Sequence, residues 1–155
     1  MKRQAAPFAL AAALLAGTGT ATAMPPEPIG GTFQWPCPTF TADLTVTGKS
    51  GTISLPGGSK AIAPNQRVTI ANPETGEAVR YLITGVTHVA TQPDDSFAVT
   101  ATGLNVILVP EANGHDAGLF LTRGTVNWTL NPDGSERTLF TSEGGQVTDV
   151  CELLE

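Results

Sequence analysis

Two side chains of this 155-residue chain, His88 and His115, can take up and release a proton near neutral pH. His88 lies in Val86-Thr87-His88-Val89-Ala90. Alternation places it on one strand face with Val86 and Ala90, where a partly buried, hydrogen-bonded histidine is expected. The alternative is a base lining a pocket. His115 lies in Glu111-Ala112-Asn113-Gly114-His115-Asp116, the most concentrated polar cluster of the chain. Glu111, Asn113 and Asp116 carry oxygens of the kind that hold Ca²⁺. Their spacing lacks the dense alternation of an established calcium loop, so a solvated hairpin loop is expected and no metal. His88, Glu111, Asn113, His115 and Asp116 are the binding candidates, and no residue is assigned a catalytic role.

The other polar groups have plainer readings. Ser59 in Gly57-Gly58-Ser59-Lys60 lacks the strained G-x-S-x-G frame of an activated serine and reads as a turn residue. Asp94-Asp95 reads as a turn pair serving its own backbone. Asn127-Trp128-Thr129 fits an N-glycosylation pattern but falls in an expected strand, where Trp128 packs with Val126 and Leu130. Trp35 is expected over one end of the core, with carbohydrate stacking as its functional alternative. No glycine-rich turn joins a strand to a helix, so no phosphate cradle is present.

Cys37 and Cys151 are the two cysteines, and in an exported protein they most simply pair with each other. Export is read from the N-terminus. Met1-Lys2-Arg3, a small apolar run from Ala5 to Leu15 and Ala21-Thr22-Ala23 form the three parts of a removable secretory signal over residues 1–23. The apolar run is too short to span a bilayer, and no membrane anchor is expected. Loss of Lys2 and Arg3 takes the formal net charge from −6 to −8. Such a surface offers nothing to nucleic acid or anionic lipid.

The elements that must position these groups are strands. After a Pro-rich, extended and partly loose segment, 24–38, residues 39–155 form one all-β domain. Phe40 to Thr47 alternates with period two, Gly48–Gly51 turns the chain, and Thr52–Leu55 returns. Gln66–Ala71 and a long strand Ala78–Thr91 follow, the latter bent at Gly85 so that it serves two parts of a curved sheet. Phe97–Thr102, the apolar Leu104–Val109, Leu119–Arg123, Thr125–Leu130, Arg137–Phe140 and Gln146–Cys151 complete about nine strands, with no helix. Short connections imply antiparallel neighbours in a β-sandwich or a small closed β-barrel. A bridge between the first and last strands favours closure.

Gly103-Leu104-Asn105-Val106-Ile107-Leu108 and the closing Gly145-Gln146-Val147-Thr148-Asp149-Val150-Cys151-Glu152-Leu153-Leu154 resemble small secreted actinobacterial proteins of no assigned function. That resemblance implies no activity and no cofactor. The inventory as a whole points to an exported, non-enzymatic binding or structural module with a protein or glycan partner. The alternative is a ligand-holding or hydrolytic barrel with an interior site near His88, Tyr81 or Asp43.

Overall fold

The computed structural model describes residues 20–142 and 144–155. The signal read over residues 1–23 lies almost wholly outside them, save for β1 (Thr22–Ala23), a two-residue strand beside Ser54 and Ile53. The strands that follow are β2 (Glu27–Pro36), β3 (Thr41–Leu55), β4 (Gly58–Ile62), β5 (Gln66–Ala71), β6 (Ala78–Ile83) and β7 (Val86–Thr91). Then come β8 (Phe97–Thr102), β9 (Leu104–Val109), β10 (Gly118–Arg123), β11 (Val126–Leu130), β12 (Glu136–Ser142), β13 (Gln146–Asp149) and a single turn of helix, α1 (Val150–Leu153). The fold is all-β and its pairings are antiparallel.

Strand β3 organises the larger sheet by serving two sets of neighbours. Its first half lies between β2 and β5, with β6 beyond; its second half pairs with β4, continuing through β7, β8 and β11 to β12. Strands β9, β10 and β13 form a separate three-stranded sheet. The chain repeatedly leaves one set of neighbours for another at a glycine corner, as strands do where packed sheets change direction. β6 becomes β7 at Thr84-Gly85, β8 becomes β9 at Gly103, and β10 becomes β11 at Gly124-Thr125. These corners stack. The Thr84 and Gly85 amides donate to Leu104 O at 3.2 and 2.9 Å, and the Gly124 amide donates to Gly103 O at 3.1 Å. Gly103 has φ +80, and a Cβ there would lie 3.0 Å from Gly85 Cα. Only glycine combines that backbone with that approach.

The core lies between the inner face of β2–β3–β5–β6 and the β9–β10–β13 sheet with α1. Leu44, Ile70 and Leu119 are fully buried there, each worth about 1.5–3 kcal/mol of apolar transfer. Alternation turns Phe120 to the opposite face of β10. It meets Phe140 edge-on at 5.4 Å, and Phe140 meets Trp128 at 5.7 Å. The small sheet is therefore covered on both faces.

Several expectations are corrected. The Pro-rich segment is not loose: β2 pairs with β3 along its whole length, because Ile29, Gly31, Phe33 and Trp35 alternate on one face. Its prolines are tolerated because β2 has a ladder on one side only. Gly48–Gly51 bends β3 rather than ending it; a Cβ at Gly48 would collide with the Asn65 carbonyl. Gly58–Ile62 is a strand rather than a break, and with the pieces above the described residues hold thirteen strands, not nine.

Cys151 lies in α1 rather than in a strand. Asp149 caps that helix, accepting from the Cys151 and Glu152 amides at 2.8 and 3.2 Å. Val150, Cys151 and Leu154 then share one buried face. Nor do the sheets close into a barrel. Where β2 approaches β10, the contact is the Trp35 Nε1–H donating to Gly118 O at 3.1 Å rather than a ladder. Of the two architectures expected, the sandwich fits better. The Cys37–Cys151 bridge forms as expected, with 5.6 Å between Cα atoms across 114 residues.

Candidate functional site

An apolar cleft of about 470 Å³ lies beside the stacked corners. Period-two alternation builds one wall from β2 and β3, which contribute Ile29, Phe33, Leu44 and Val46. Strand β5 and the β6 end add Val68 and Ile83, and β9 supplies Val106, Ile107 and Leu108 opposite. The few polar groups are Ser50, Gln66, Thr87 and Asn105, and Gln66 lies against Gly48 of β3, which faces Ile29 of β2. Among the described residues no acidic or basic side chain lines the cleft. Phe33 is 41% exposed at the outer part, whereas Asn105 is 6% exposed. The Asn105 amide presses on Gly85, where a Cβ would have no room, and its Nδ2 donates to Thr102 O at 3.1 Å.

The cleft does not include the histidine expected near an interior site. Thr87 lines it, and His88, the next residue on the strand, points to the other face and is exposed between Lys60 of β4 and Thr100 of β8. The partly buried histidine of the sequence reading is thus corrected, since among the described residues no further layer covers His88, which is exposed. Tyr81 belongs to the core margin, where burial raises its pKa. Asp43 points outward and accepts from Gln34 Nε2 at 2.9 Å. Ser59 sits within β4, opposite Ser54 and Val89.

The 111–118 loop is ordered by a residue that the sequence reading did not single out. Asn113 and Gly114, with φ +48 and +85, make a tight turn closed by the His115 amide donating to Ala112 O at 2.9 Å. Across the gap stands Glu136 of β12. Its Oε1 accepts from Asn113 Nδ2 at 3.0 Å, and its Oε2 lies 2.8 Å from His115 Nε2. The other ring nitrogen, Nδ1, lies 2.9 Å from Asp116 O. A carbonyl and a carboxylate are both acceptors, so the ring satisfies both only when both nitrogens carry protons. The Asp116 carbonyl and then Glu136 accordingly raise the His115 pKa above its ordinary value. A ring whose two nitrogens are both occupied has no site left for general-base work, and this cluster reads as a latch.

Glu111 and Asp116 do not join Glu136 as ligands. Among the described residues no group of three or more His, Cys, Asp or Glu side chains is placed to hold a metal ion. Asp94 serves its own turn, accepting from the Ser96 amide at 3.2 Å, and also pairs with Arg137 at 2.7 Å. The Arg137 hydrogen bond, followed by those of Ser96, holds its carboxyl well below the usual carboxylate range. Asn127 accepts from Thr100 Oγ1 at 2.7 Å inside the sheet.

Comparison with protein-family models, with curated proteins and with solved structures gives no match. The site must therefore be read from its own geometry. What the sequence reading missed is the contribution of β2. Its signal was the alternation Ile29, Gly31, Phe33, Trp35, visible beneath the prolines.

Proposed function

We propose that the protein is an exported β-sandwich binding module without catalytic activity, and that it holds its ligand in the cleft between β2–β3–β5 and β9. The observation that carries this reading is the cleft itself: about 470 Å³, walled mostly by apolar side chains and, among the described residues, carrying no titratable group. Ligand sites are typically largely apolar hollows of this size with a few placed polar groups. Catalysis near neutral pH ordinarily needs a tuned acid or base beside the reacting atoms. Here His88 lies on the opposite face and His115 is committed to a latch. Export is supported by the basic and apolar leader sequence and by the Cys37–Cys151 bridge, which persists in oxidising compartments. Among the described residues no helix is long and apolar enough to cross a membrane.

The test is a fluorescence titration of the full chain with Nile red, a neutral dye that brightens on entering apolar surroundings. Saturable brightening is expected, weakened at least tenfold in Phe33→Asp, which sets a charge at the outer part of the cleft. His115→Gln, remote from the cleft, should bind as the unmodified protein does. Absence of saturable binding, or equal binding by Phe33→Asp, would overturn the reading.

A further inference from the structure

We infer that the ligand of this cleft is an uncharged amphiphile, a lipid of the monoacylglycerol or long-chain alcohol class, bound with its hydroxyl or ester group against Asn105. The inference rests on the binding role proposed above and specifies its chemistry. Four polar side chains interrupt an otherwise apolar cleft. Asn105, Gln66, Ser50 and Thr87 are the polar members of a lining whose other side chains, Ile29, Phe33, Val46 and Leu108 among them, are apolar. Asn105 is the buried member of the polar set. Its amide offers two hydrogens and an acceptor oxygen, and one hydrogen is spent on Thr102 O. Among the described residues no other hydrogen bond of its side chain is formed, which leaves a donor and an acceptor beside the cleft. A hydroxyl or ester matches that pair.

Charge decides between lipid classes. A fatty-acid carboxylate buried here would meet no Lys, Arg or His of the described residues, because none lines the cleft. An alkylammonium would likewise meet no Asp or Glu. Burying an ion without a partner is far costlier than burying a hydrogen-bonded neutral group. The apolar wall accepts the chain of any of these ligands, so the discrimination comes from the headgroup alone.

The experiment displaces Nile red from the full chain with monopalmitoylglycerol, palmitate or hexadecyltrimethylammonium, each below its aggregation threshold. Monopalmitoylglycerol should compete at least tenfold more tightly than either ion. Gln66→Lys, which sets a cation in the lining, should then shift the ratio of palmitate to monopalmitoylglycerol affinity at least tenfold towards palmitate, both measured on that variant. Palmitate competing as well as the neutral lipid in the unmodified protein would overturn this inference and leave the binding role standing. So would an unchanged ratio of the two affinities in Gln66→Lys. Failure of dye and all three lipids to bind would remove the binding role as well.

Discussion

The Nε2 of His115 lies 2.8 Å from Oε2 of Glu136, a carboxylate in β12 that also receives Asn113. The imidazolium is the form that satisfies both the Asp116 carbonyl and Glu136, so these two, in that order, raise the folded-state pKa of His115 above the ordinary 6.5. A raised pKa means that the contact stabilises the fold fully below about pH 6.5 and loses its effect as pH climbs through the folded value. Denaturant melts at about pH 6 and about pH 8.5 should show lower stability at the higher pH. His115→Gln should remove part of that slope, and a slope unchanged by the substitution would exclude the latch as its source.

Reduction of Cys37–Cys151 should lower the melting temperature, and Cys37→Ser with Cys151→Ser should cost about 2–5 kcal/mol. The closed loop is long, so the unfolded chain gains much freedom when the bridge opens. Guanidinium melts of the oxidised and double-variant proteins measure the difference. Peptide mapping without reductant should recover a fragment joining the two cysteines.

Gly103 and Gly134 both have positive φ, +80 and +83, but only Gly103 is crowded. Alanine at either site incurs a left-handed backbone penalty of about 1–2 kcal/mol. At Gly103 the added methyl also meets Gly85 Cα at 3.0 Å, so Gly103→Ala should cost about 1–3 kcal/mol more than Gly134→Ala. Equal costs in urea melts would mean that the corner relaxes freely.

Thr122 is fully buried in β10, and its Oγ1 has no hydrogen-bond partner among the described residues. Exchanging the hydroxyl for a methyl removes an uncompensated polar burial while keeping the shape. Thr122→Val should therefore be neutral or stabilising by up to about 1 kcal/mol. A clear loss of stability would mean that the hydroxyl has a partner in solution.

Strands whose signals are local were legible. Gln66–Ala71, Phe97–Thr102 and Leu104–Val109 begin and end where alternation and turn residues place them. Gly85 does bend a chain that serves two parts of the fold. The cysteine pairing was legible because two cysteines in an oxidised chain have one internal partner each. What was hidden depends on neighbours far along the chain. Proline-rich composition masked β2, whose edge position relieves Pro28 and Pro36 of any need to donate. One turn of helix is too short for periodicity to show, and it follows from the Asp149 cap and the docking of Leu154, whose carbonyl accepts from Asn72 Nδ2 at 2.9 Å. The polar loop at His115 was visible, but Glu136, twenty-one residues later on another strand, could not be assigned to it without register. The cleft was hidden for the same reason, since Phe33 and Leu108 meet around it only after both sheets are built.

The position of the bridge also decides how the molecule bears load. A pull applied at Met24 and Glu155 runs along the chain to Cys37 and Cys151 and crosses there through covalent bonds. Only the stretches outside the bridge can pay out, β2 by unzipping from β3 and the four residues after Cys151 by leaving the helix end. At about 3.5 Å per residue those stretches have a contour of roughly 60 Å, whereas reduction would free about 400 Å more of contour from the residues between the cysteines. Tension on the oxidised protein would therefore strip β2 and open the cleft wall that carries Ile29 and Phe33, while the sheets enclosed by the bridge stayed slack.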